Sequence, residues 1–164
     1  MPTARVHLEQ IKSELGSCWL PQIYREQVLT LRTRAYCFEG YRRNARVDIQ
    51  PSLLGVELKI GNRRLLCPDL ATARYLAVFA RVGCANVAVP YDITKVSRLA
   101  DQLDSSWYRM LLLAEDRTTK NTDHFKARLR GLLIAQVRAE IAEAGAGARM
   151  PEFKLTSKKR CQSN

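Results

Sequence analysis

Acidic side chains are scarce in this chain: 16 Asp and Glu stand against 27 Lys and Arg over 164 residues, a formal net charge of +11. That imbalance disfavours cationic ligands and directs attention to polyanions, with nucleic acid first and anionic lipid or acidic protein behind it. Histidine is nearly missing, with only His7 and His124, and the five cysteines (Cys18, Cys37, Cys67, Cys84, Cys161) contain no CxxC pair. A structural zinc needs several soft ligands at close spacing, so none is expected. An odd number of scattered cysteines reads as reduced thiols rather than a disulfide framework. No apolar run approaches the roughly 20 residues of a spanning helix, so no membrane span is expected. The opening residues MPTARVHLEQ have no apolar stretch of the signal-peptide kind, and the expected location is cytoplasmic. A Gly-rich phosphate loop followed by Lys, a nucleophile elbow, HExxH and a dinucleotide fingerprint are all missing as well.

What is present is arginine interleaved with aromatics. Residues 31–47, LRTRAYCFEGYRRNARV, carry Arg32, Arg34, Arg42, Arg43 and Arg46 around Tyr36, Phe38 and Tyr41, with Glu39 the lone acid. Guanidinium groups fork onto phosphates and aromatic rings stack on bases, so this mixture suits nucleic acid better than a lysine run would. The plain alternative is a solvated helix face whose aromatics turn inward. Hydrophobic residues make up 46% of the chain, enough for a folded core at this length.

Periodicity predicts an α+β domain: a small, antiparallel-rich mixed sheet of about four short strands, packed by a central helix, with helices at both ends. Leu8, Ile11 and Leu15 have helical spacing, with Gly16 as terminator. A second helix is predicted from Pro21 to Gly40, with Tyr24, Val28, Leu31, Ala35 and Phe38 inward and Arg25, Arg32 and Tyr36 on a neighbouring stripe. Residues 46–50, 56–60 and 63–67 alternate as strands, the last two joined by a Gly61–Asn62 turn. That turn places Ile60 opposite Arg63, Lys59 opposite Arg64, Leu58 opposite Leu65, Glu57 opposite Leu66 and Val56 opposite Cys67. Lys59 facing Arg64 is unfavourable unless a phosphate or Glu57 intervenes. Asp69 caps an apolar central helix ending at Gly83, residues 86–89 form a short buried strand, and Asp92 or Thr94 caps a strongly amphipathic helix. A last helix is predicted over 123–144. The domain organisation is therefore one α+β domain over 1–144 and a flexible basic tail over 145–164.

One constellation could carry chemistry. Asp48 lies on one predicted strand, with Glu57 and Lys59 two residues apart on the next, so all three can project from one polar sheet face. The order Asp, spacer, Glu-x-Lys after N-terminal helices resembles the core of the restriction-endonuclease-like nucleases, the PD-(D/E)xK group. Val47 stands where the full pattern has Pro. The resemblance implies that Asp48 and Glu57 hold Mg²⁺ while Lys59 orients the attacking water and stabilises phosphate charge. Without it, the same residues are the polar outer face of an antiparallel sheet.

The first expectation is a non-catalytic nucleic-acid-binding protein, needing no cofactor, that uses Arg32, Arg34, Tyr36, Arg42, Arg43, Arg46, Lys59, Arg63 and Arg64. RNA or single-stranded DNA is favoured because exposed aromatics suit unpaired bases. The alternative is an assembly or regulatory protein whose basic faces meet an acidic protein partner. The third is the Mg²⁺-dependent nuclease with Asp48, Glu57 and Lys59.

Overall fold

The Thr3 hydroxyl accepts from the Val6 N–H at 3.2 Å and opens α1, Ala4–Leu15, which runs to Gly16 at φ +55°. The computed structural model describes residues 2–38 and 46–147. A 3-10 turn, Gly16–Cys18, leads into α2, Leu20–Ile23, with Pro21 in its first turn, and α2 continues as a π-helical turn, Tyr24–Val28.

There the expected helix stops. Tyr24 and Val28 are buried as its spacing requires, but Thr33–Cys37 is a strand, β1, so Arg32, Arg34 and Tyr36 lie on extended chain and not on a helix stripe. The apolar residues of 24–38 fit a helix seam, and what overrides it is a long-range partner. β1 pairs antiparallel with β5, Asn86–Pro90, setting Arg34 opposite Val89 and Tyr36 opposite Val87. The predicted stop at Gly40, together with Arg42 and Arg43, lies outside the described residues.

β2 (Val47–Ser52), β3 (Gly55–Ile60) and β4 (Arg63–Cys67) form an antiparallel meander. The β3–β4 register matches the expected one at all five pairs. The fold is α+β with short antiparallel strands packed by a central helix, as expected, and the strands divide into two small sheets, of two and three strands, where one antiparallel-rich mixed sheet is expected. Ala88 supplies the physical reason. Its N–H donates to the Tyr24 hydroxyl at 2.9 Å and its carbonyl accepts from the Tyr75 hydroxyl at 2.6 Å. With β1 on one edge and two tyrosines on the other, β5 has no edge left for the meander.

α3, Leu70–Val82, begins at the Asp69 cap, whose carboxylate accepts from the Thr72 N–H at 2.8 Å, and ends at left-handed Gly83. It covers the apolar face of the meander, where Leu58, Ile60 and Cys67 are buried. Asp92 caps α4, Ile93–Arg117, which lays Val96, Leu99, Leu103 and Met110 against α3 and the surrounding core. Arg74 reaches Asp101 at 2.7 Å and Asp104 at 3.6 Å, tying the polar edges of α3 and α4 together.

α5, Asp123–Ala144, buries Leu129, Leu133, Val137 and Ile141 as expected, and also Glu140. That carboxylate accepts from Lys12 at 2.8 Å, Trp19 at 2.9 Å and Gln136 at 2.7 Å, joining α1, the start of α2 and α5. Burial pushes the Glu140 carboxyl up, but the hydrogen bonds from Gln136, Lys12 and Trp19 outweigh it and hold it below the usual range. Past α5, Gly145 accepts from the Tyr24 hydroxyl at 2.6 Å, and Gly147, at φ +80°, lies so close to Thr33 that a Cβ would sit 2.8 Å from its hydroxyl. The chain expected to leave the domain at 145 therefore packs on it through 147. Among the described residues, no helix is long and apolar enough to cross a membrane.

Candidate nucleic-acid interface

The β1–β5 ribbon carries an arginine–tyrosine cluster at its open end. The Tyr91 N–H donates to the Arg32 carbonyl at 3.2 Å, extending the pairing one step beyond Thr33 opposite Pro90. Tyr91 is thus held across from Arg32 by main chain, while Asp92 behind it caps α4. The Arg32 and Arg34 guanidinium carbons lie 5.9 and 5.7 Å from the Tyr91 ring centroid, and Tyr91 is 48% exposed. These distances are within cation–π range and longer than close stacking. An exposed aromatic with two forked cations beside it offers a base a surface and offers phosphates two partners.

Tyr36 behaves differently. Its ring meets buried Phe38 edge-on, with centroids 4.9 Å apart, and is half-buried. It packs against the core on the strand face it shares with Arg34, and the exposed ring beside the arginines is Tyr91. Sequence reasoning passed over Tyr91; the available signal was an aromatic between a strand-ending Pro90 and a helix-capping Asp92.

The other expected residues fall on the meander. Pairing sets Asp48 opposite Lys59 and Lys59 opposite Arg64, a row across three strands, with Gln50, Glu57 and Leu66 in the next row on the same face. Arg46 is exposed just beyond β2 and meets Asp48 at 3.2 Å; Arg64 meets Glu57 at 3.8 Å. Glu57 is thus the group that relieves Lys59 facing Arg64. Arg63, opposite Ile60, has the alternation of the other face and is exposed at its end.

Asp48, Glu57 and Lys59 do share one face, as the nuclease resemblance requires, with each carboxylate beside an arginine. Among the described residues, no group of three or more His, Cys, Asp or Glu side chains is placed to hold a metal. Mg²⁺ is commonly held by one or two carboxylates and several waters, so the Asp48–Glu57 pair fits that donor requirement. The exposed arginine pairs contribute under about 1 kcal/mol each and do not bar a cation.

Known protein families, characterised proteins and solved structures contain no match to this chain. The arrangement has to be read from its own chemistry. The structure brings Arg32 and Arg34 together around Tyr91, and brings Arg46, Asp48, Glu57, Lys59 and Arg64 together on the meander. The first group belongs to the β1–β5 ribbon and the second to the three-stranded sheet.

Proposed function

We propose that the protein binds nucleic acid, with RNA or single-stranded DNA preferred over duplex, and does so without catalysis. The observation carrying this reading is the pair of guanidinium groups beside the exposed Tyr91 ring, with the Tyr91 backbone held across from Arg32 by a main-chain hydrogen bond. A base stacks on an aromatic whatever its identity, while arginines take the flanking phosphates, so the binding is sequence-tolerant and salt-sensitive. Lys59, Arg63, Arg64 and Arg46 add backbone contacts, and the net charge of +11 draws a polyanion in.

Fluorescence anisotropy with labelled single-stranded RNA, single-stranded DNA and duplex DNA, at two salt concentrations, tests it. Tyr91→Ala weakens single-strand binding by roughly tenfold, in line with about 1–3 kcal/mol per stacked base. The double charge reversal Arg32→Glu, Arg34→Glu weakens all probes and flattens the salt dependence. No oligonucleotide binding at moderate salt, with capture of acidic proteins retained, would replace this reading with an acidic-partner function.

A second reading rests on Asp48, Glu57 and Lys59 sharing one face. As a Mg²⁺-dependent nuclease, the protein would use the two carboxylates for the metal and Lys59 for phosphate charge. Running the same probes on a gel with Mg²⁺ tests it. Shortening that disappears in Glu57→Ala supports cleavage, and intact probes reject it.

A further inference from the structure

The meander has two edges, and its sequence blunts one of them. The Gly61 N–H donates to the Arg46 carbonyl at 2.8 Å, which fixes the alternation along β3. Glu57 and Lys59 turn their main-chain groups to β2, and Val56, Leu58 and Ile60 turn theirs to β4. The β4 partners are Cys67, Leu65 and Arg63, so the N–H and C=O of Arg64 and Leu66 point out of the sheet. On β2 the outward positions are Val47, Ile49 and Pro51, and the proline has no N–H to offer. On β4 both outward residues keep donor and acceptor, and among the described residues no main-chain group pairs with them.

An open edge invites another strand, and the side chains of β4 say which one. Arg63 and Arg64 stand exposed at its hairpin end, while Asp69, the α3 cap, stands just past its other end. Between them are Leu65, half-buried because α3 lies more over β2 and β3, and Leu66, 52% exposed. A strand that is basic at one end, apolar in the middle and acidic beyond the other complements a reversed copy of itself.

Antiparallel pairing of two β4 strands about Leu65 meets each of these requirements. Arg64 falls opposite the partner's Leu66, so every outward N–H and C=O of the two residues finds a partner in the other copy. Leu65 faces the partner's Leu65 in a non-hydrogen-bonded pair, with Cβ atoms about 4.5–5.5 Å apart. Arg63 comes to the end of the partner's strand, toward the partner's Asp69, and no two like charges stand directly opposite. From the open β4 edge, its exposed leucine and its self-complementary charge order, we infer that the protein forms a two-fold dimer through β4, joining two three-stranded meanders into one continuous sheet. The net charge of +11 on each copy opposes association, but a Debye length of about 8 Å at physiological salt screens most of it. The inference goes beyond the nucleic-acid reading and does not rest on it.

Sedimentation velocity on the full chain, freed of nucleic acid and run over a wide concentration range, tests it. The expected result is a shift from the 18.7 kDa chain to twice that mass as concentration rises, with dissociation in the micromolar range because the interface is short. Hydrogen exchange places the contact: the Arg64 and Leu66 amides exchange fast in dilute protein and are protected in the dimer. Leu66→Pro removes an N–H that bonds to nothing in the single chain, so it stays monomeric with the circular dichroism of wild type. Leu66→Lys sets a lysine opposite the partner's Arg64 and weakens the dimer by roughly tenfold or more, which decides the matter even if the proline variant misfolds. Leu112→Lys, at an exposed leucine of α4, dimerises as wild type does. A single 18.7 kDa species at every concentration would overturn the inference. So would a dimer that persists unweakened in Leu66→Lys, or one that leaves the Arg64 and Leu66 amides unprotected.

Discussion

Removing the Glu140 carboxylate takes an acceptor from three donors and an ion-pair partner, at 3.7 Å, from Arg25. In Glu140→Ala, the Trp19 indole N–H loses its acceptor at 2.9 Å, and Trp19, 1% exposed, cannot turn to water. An orphaned buried donor costs about 1–3 kcal/mol. The Lys12 ammonium loses a partner at 2.8 Å, but with 37% of its side chain exposed it rehydrates, and that pair contributes only about 0.5–1 kcal/mol. Half-buried Gln136 also reaches water, and the lost methylene packing adds about 1 kcal/mol. The expected loss is about 2.5–5 kcal/mol, a fall in Tm of about 5–20 °C for a chain of this size. Urea unfolding followed by tryptophan fluorescence measures it, because one of the two tryptophans is bonded to the deleted group. The pH dependence is a second signature. A carboxyl whose folded pKa is depressed stabilises the fold above its unfolded value, near 4.3, and that contribution is lost as pH falls through the lower folded value. The gap between wild type and Glu140→Ala therefore narrows as the pH falls below about 4. A loss under about 0.5 kcal/mol with no such narrowing would refute the idea that this carboxylate joins the three helices.

The same accounting applies to Tyr24→Phe, which removes the acceptor of the Ala88 N–H and the donor to Gly145. It costs about 1–3 kcal/mol in urea unfolding, and an unchanged midpoint would show that the β5 edge does not need this hydroxyl. The Tyr24 phenol, pushed up to about 12 by burial, stays protonated where ordinary tyrosines ionise. Ultraviolet titration of the native protein between about pH 9 and 11 is therefore the same in Tyr24→Phe as in wild type. Thiol labelling read by peptide mass mapping separates the cysteines: exposed Cys18 and Cys37 react at once. Burial raises the Cys67 and Cys84 thiols to about 11 and about 12, so they react only as fast as the protein opens; prompt labelling of either contradicts the packing described.

Local rules were enough wherever a few neighbouring residues decide the outcome. Asp69 and Gly83 bound the central helix because a cap and a left-handed stop act within one turn. The Gly61–Asn62 turn dictated five cross-strand pairs, since closing a two-residue hairpin leaves one register, and the shared face of Asp48, Glu57 and Lys59 follows from alternation. Residues 33–37 could not be read this way. Their pattern of Leu31, Ala35 and Phe38 suits a helix, and only pairing with Asn86–Pro90, some 50 residues on, makes them a strand. That change moved Arg32 and Arg34 from a helix flank to the ribbon end and brought in Tyr91, which no local spacing connects to them. Glu140 left a trace, an acid on the inward stripe of Leu133, Val137 and Ile141, but its donors come from α1 and the start of α2. The Asp69 and Gly83 boundaries of the central helix, the hairpin register and the net basic charge are legible in the residues alone, because those depend on short-range sterics and on charge. Which ring is exposed among the arginines, which acid is buried and how the strands divide into two sheets emerge only on folding, because each of these is settled by a partner far away in the chain.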